Sequence, residues 1–159
     1  MKSLRVVINY IALTLFCVGC GRTPAISPAN EQSAAKLDWL TNFETAKAKA
    51  RAENKMVLID FTGSDWCPPC KILNKEVFSQ PQFADYAAKN LVLLEIDFPR
   101  LKKQSDEEKS ANEKLAGEFG VEGFPTIVIL DPSGKVVGQL GYMPGGPTAF
   151  IAALEKLRS

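Results

Sequence analysis

Histidine is absent from all 159 residues, and that single gap closes several chemical routes. Ser-His-Asp and Cys-His mechanisms need an imidazole, and the common zinc and haem sites use one as a ligand. A basic patch or stripe is also missing. The 19 Lys and Arg residues are spread evenly among 18 Asp and Glu, for a formal net charge of +1, which is no footprint for nucleic acid. No internal repeat is visible. Cysteine is scarce, with four in the chain. The apolar fraction of 46% suffices for a packed core without disulfide staples. The length suits one domain with a short extra segment.

The first residues read as a targeting segment. Lys2 and Arg5 give a positive start, and residues 6–18 are apolar apart from Asn9, Tyr10 and Thr14. That run is short for a membrane span and fits a secretory signal. It ends Cys17-Val18-Gly19-Cys20, which resembles the bacterial lipoprotein signal, in which a cysteine after a small residue is acylated. Cys17 stands where that pattern usually has leucine. The expectation is a signal peptide over residues 1–19 with Cys20 as lipid anchor to the membrane; a soluble exported protein is the alternative. Loss of Lys2 and Arg5 would leave 17 basic against 18 acidic side chains. Residues 20–35, with Pro24, Pro28 and no apolar period, read as a flexible tether, and residues 36–159 as the domain.

Only Cys67 and Cys70 then remain as thiols. They stand in Asp65-Trp66-Cys67-Pro68-Pro69-Cys70-Lys71, between the apolar run Met56-Val57-Leu58-Ile59 and a segment that reads as helix. Two cysteines so spaced at a strand-to-helix junction are a redox dithiol. Partly positive amides at a helix start favour the thiolate, the form that attacks disulfides. A structural bridge is the first alternative, but so small a loop would stabilise little. Half a zinc site is the second, and it lacks two further ligands. No metal or other cofactor is expected. Pro68 suits the first helical turn. With Cys67 as the cap, Pro69 removes one amide that could approach the sulfur, leaving mainly that of Cys70. Asp65 nearby further disfavours negative charge, so a reductase or isomerase is expected rather than an oxidase.

Along the rest of the chain, Leu37, Trp39, Leu40, Phe43, Ala46 and Ala50 recur at helical spacing, predicting a helix over residues 37–53 with Trp39 and Phe43 in the core. Residues 56–61 form a strand apolar on both faces, as at the centre of a covered sheet. Residues 67–78 follow as helix. Ser79 is a candidate cap for a short helix over residues 81–89, and residues 91–96 are a second buried strand. Residues 98–109 are charged, with Pro99, Arg100, Lys102 and Lys103; a solvated loop and helix face is the plainer reading, a partner-binding site the other. Ser105 and Glu108 have capping-box spacing for a helix to about Phe119. A strand over 126–130, a turn at Asp131-Pro132-Ser133-Gly134, a strand over 135–140, a loop over 141–147 and a closing helix complete an α/β fold with a mixed sheet.

Strand, Trp-Cys-x-x-Cys and helix in this order, with Gly123-Phe124-Pro125-Thr126 before the third strand, resemble the thioredoxin superfamily over about residues 37–158. Within it, the Asp-Trp-Cys-x-x-Cys-Lys run and Glu76-Val77-Phe78-Ser79 with Pro81 are most similar to the C-terminal domain of the thiol:disulfide interchange protein DsbD and related exported proteins. The resemblance implies a thioredoxin-like central mixed sheet flanked by helices. It implies that Cys67, the more accessible sulfur, attacks substrate disulfides and that Cys70 resolves the mixed disulfide. It makes Pro125 a cis-proline packed against the dithiol, an ordinary trans proline opening a strand being the alternative, and gives Phe124 a backbone that pairs with substrate. Asp60, an acid in a buried strand, matches the aspartate that helps deprotonate the resolving cysteine, although Thr62-Gly63-Ser64-Asp65 is one residue longer than the usual loop; a polar strand end reaching water is the alternative. Trp66 would shield the dithiol and add to the contact surface, or else be a core aromatic. Lys71 reads as a solvated helix lysine.

These readings combine into a monomeric thiol:disulfide oxidoreductase that reduces or isomerises disulfides of exported proteins on the periplasmic side of a bacterial membrane, recharged by a membrane or periplasmic thiol donor. A dedicated reductase in cytochrome c maturation, and a non-catalytic binding or chaperone module of the same fold, are the alternatives.

Overall fold

The computed structural model describes residues 37–158. The expected signal, Cys20 and the tether lie outside the described residues. The elements are β1 (Trp39–Leu40), α1 (Phe43–Glu53), β2 (Met56–Thr62), α2 (Pro68–Leu73), a π-helical turn (Asn74–Phe78), α3 (Pro81–Asn90), β3 (Leu91–Asp97), α4 (Asp106–Glu118), β4 (Thr126–Leu130), β5 (Val136–Leu140) and α5 (Gly146–Arg158). The sheet order is β1-β3-β2-β4-β5. Strands β1, β3 and β2 run parallel, and β4 and β5 join antiparallel. The fold is thioredoxin-like, as expected.

β2 is central and every residue in it is buried, which explains its lack of polar alternation. Successive side chains still point to opposite faces. Met56 and Leu58 join Leu73, Val77, Phe83 and Phe150 on the α2, α3 and α5 side. Val57, Ile59 and Phe61 join Ala46, Ala50 and the partly buried Phe119 on the α1 and α4 side. β3 divides in the same way, with Leu91 and Leu93 on the first side and Val92, Leu94 and Ile96 on the second. Continuing that alternation puts Asp60, Thr62, Glu95 and Asp97 on the α2 side, all at the carboxyl ends of two parallel strands.

Some local expectations fail. Leu37, Trp39 and Leu40 are not helical: Trp39–Leu40 is an edge strand paired with Leu93 and Leu94. Asn42 stops the helix from reaching further back, since its extended backbone lets its side chain cap the Thr45 N–H at 2.9 Å. Trp39 and Phe43 are half-buried at the edges of the two core halves. The predicted helix over 67–78 changes to a π turn after Leu73. Ser79 is not a cap; its hydroxyl donates to Asn74 Oδ1 at 2.8 Å, and Gln80 precedes Pro81 at the start of α3. Ser105 does cap α4, accepting the Glu108 N–H at 3.1 Å. The last helix begins inside the predicted loop, at Gly146. Among the described residues no helix is long and apolar enough to cross a membrane.

Candidate active site

The dithiol stands where β2 hands over to α2. Gly63 O accepts the N–H groups of Trp66 and Cys67 at 3.1 and 2.8 Å, making the turn that delivers Cys67 to the helix start. Cys67 is the N-cap, and its Sγ accepts the Cys70 N–H at 3.3 Å. Prolines fill both intervening positions and donate nothing. Cys67 and Cys70 are joined in a disulfide with a Cα–Cα distance of 5.4 Å. Cys67 is 2% exposed and Cys70 5%. Both residues of the pair are thus buried in this oxidised state.

Behind the pair lies a cavity of about 270 Å³ lined by Cys70, Asp60, Thr62, Ser64, Asn74 and Glu95, among others. Asp60 is 6% exposed, and its Oδ1 has no hydrogen-bond partner. Burial, then the nearby charges of Glu95 and Asp97, push its carboxyl up from an ordinary 3.8 to about 8. Glu95 is also raised, by burial first and then by Asp97, while Lys102 opposes the shift. The longer loop after β2 still leaves Asp60 and Cys70 lining one cavity.

Trp66 and the cis-proline segment form the front wall. The Phe124–Pro125 peptide bond is cis, as the resemblance implied. Phe124 stacks on Phe98 with ring centroids 5.0 Å apart and meets Trp66 edge-on at 6.1 Å. Trp66 is half-buried; its indole N–H donates to Phe98 O at 2.8 Å, and the Arg100 guanidinium carbon lies 3.5 Å from its ring centroid. A Cβ on Gly63 would fall 2.6 Å from Trp66 Cε2, so this position requires glycine for the ring to pack. Lys71 is exposed and donates to Asp65 O at 2.7 Å.

Sequence reasoning missed the second half of the site. Asp65 accepts the backbone N–H groups of Arg100, Leu101 and Lys102 at 3.0, 2.8 and 3.1 Å. Partial desolvation would raise its pKa, but those three donors and the Lys102 charge outweigh it and hold the carboxyl below its ordinary value. Ser64 bonds Asp97 through both N–H and hydroxyl, and Lys102 reaches Ser64 Oγ at 2.9 Å. The charged insert is thus fastened to the dithiol loop. The one extra residue between β2 and the cysteines was the available signal. Among the described residues no group of three or more Cys, Asp or Glu side chains is placed to hold a metal.

A family model described as a thioredoxin-like domain matches residues 43–158. The disulfide bond reductase DsbH of Chlamydia pneumoniae is 28% identical over 151 residues, 93% of this chain and 90% of that protein. The thiol:disulfide interchange protein DsbD of Campylobacter jejuni is 27% identical over 164 aligned residues, 99% of this chain but only 26% of the relative. A solved structure of the DsbH oxidoreductase superposes with a TM-score of 0.75 at 28% identity, over 87% of this chain and 94% of that one.

Proposed function

Since this chain belongs to the thioredoxin-like family and is a thiol:disulfide oxidoreductase, we propose that it serves as a disulfide reductase or isomerase for exported proteins, with Cys67 as nucleophile and Cys70 as resolving thiol. The Cys67 thiolate attacks one sulfur of a substrate disulfide. That S–S bond breaks, a mixed disulfide forms and one substrate thiolate leaves. Cys70, deprotonated, then attacks Cys67 Sγ; the second substrate thiol is released and the Cys67–Cys70 disulfide remains, two electrons having passed to substrate. In its ionised form Asp60 takes the Cys70 proton, a role supported by a pKa raised toward neutrality and by its place on the same cavity. Trp66, Phe124 and Pro125 hold the substrate chain. Cys20 anchors the protein to the membrane face through a lipid, on a tether over residues 20–35, and a membrane or periplasmic thiol donor restores the dithiol.

The observation that carries the reductive direction is the sparse cap: one amide, that of Cys70, reaches Cys67 Sγ. A thiolate with few donors is weakly stabilised, so the oxidised form is favoured and the dithiol is reducing. Equilibration with glutathione tests this. A potential near thioredoxin's, about −270 mV, is expected; one near that of DsbA, about −120 mV, would make the protein a disulfide donor.

A further inference from the structure

The fastening of the insert to the dithiol loop has a consequence for partner choice. Arg100, Leu101 and Lys102 present three successive N–H groups to Asp65, which lies two residues before Cys67. The Leu101 and Lys103 side chains beside that clamp are exposed. Leu101 is 82% exposed, more than any other large apolar residue noted at the surface of the described chain. Arg100 lies over the Trp66 ring, and Lys103 stands three residues on; neither has a carboxylate partner within the described residues. Lys102 is already engaged with Ser64 and Asp97. The acids Asp106, Glu107 and Glu108 come next, but they occupy the first turn of α4, where the helix dipole attracts them.

Resting on the oxidoreductase reading, we propose that Arg100, Leu101 and Lys103 form a rigid docking lip that selects partner polypeptides carrying an apolar residue flanked by acidic side chains beside the reacting disulfide. The lip is continuous with the wall that substrate must cross, since Phe98 joins it to Phe124 and Trp66 joins it to Cys67. Leu101 covers an apolar side chain of the partner, and Arg100 and Lys103 meet its carboxylates. Clamping by Asp65 means that little ordering cost falls on binding.

The test uses the full chain and three peptide disulfides of one sequence, differing only in flanking Glu, Gln or Lys. At low salt the Glu peptide should be reduced with kcat/KM about fivefold above the Lys peptide, and the ratio should fall toward unity at about 1 M salt. In R100Q/K103Q the ratio should drop below about two at low salt. Leu101→Ser should lower kcat/KM for all three peptides about threefold while keeping their order. Equal rates for the three peptides in the wild type, or a preference that survives R100Q/K103Q, would overturn the lip. So would anionic phosphatidylglycerol vesicles binding through Arg100 and Lys103 with no peptide preference, which would make the patch a membrane contact. Failure of the wild type to reduce even neutral 2-hydroxyethyl disulfide would sink the oxidoreductase reading itself, and the lip with it.

Discussion

Asp60 and Glu95 face each other across the parallel β2–β3 pair, and both line the cavity that reaches Cys70 from behind. Two carboxyls at one register position repel when both are ionised. The more deeply buried one, Asp60, keeps its proton.

That proton makes stability depend on pH. Below about pH 4, Asp60 is protonated in both folded and unfolded chains. From there to about pH 8 the unfolded chain has released the proton and the folded chain has not, so stability falls as pH rises through this window. Asp60→Asn should remove the loss, matching wild type near pH 4 and exceeding it by on the order of 4 kcal/mol at pH 7. Urea unfolding at the two pH values checks this; a difference independent of pH would contradict it. The same variant should resolve mixed disulfides at least about tenfold more slowly, because the amide cannot accept a proton.

Glu95→Gln removes the like charge beside Asp60. The Asp60 carboxyl should then ionise at lower pH, and the pH profile of the resolving step should move the same way. Observing the carboxyl stretch of Asp60 during a pH titration gives the readout. An unmoved titration would mean the two groups are screened from each other.

Asp65→Ala should release the insert. The Arg100, Leu101 and Lys102 amides lose their common acceptor, so their hydrogen exchange should quicken at least about tenfold, while that of the buried β2 amides changes little. If the three amides stay protected, contacts other than Asp65 hold the loop.

Cys70→Ala should stop the cycle at the mixed disulfide. Non-reducing electrophoresis should show the chain carried at the mass of its partners and released by dithiothreitol, with no such species for Cys67→Ser. Equal trapping by both variants would deny Cys67 its role as nucleophile.

Much of this was legible because the signals are local. The Cys67 cap and the prolines after it lie within four residues, as do Ser105 and Glu108. The apolar run of β2 announces a central strand by itself, and Asp60 stands out within it. Helical spacing misled at Trp39 and Leu40, where the same apolar recurrence serves an edge strand. Propensity does not distinguish the two; pairing with Leu93 and Leu94 does.

By itself the sequence determined the dithiol, its place at a helix start, the α/β order around it and the acid within β2, since each is set by residues a few positions apart. Tertiary structure decided the rest. Asp65 meets amides 35 to 37 residues away, Trp66 a carbonyl 32 residues away, and Asp60 a carboxylate on a neighbouring strand. No local preference encodes such meetings, because they exist only once β2 and β3 lie side by side and bring their carboxyl ends, with the loops beyond, to one edge of the sheet.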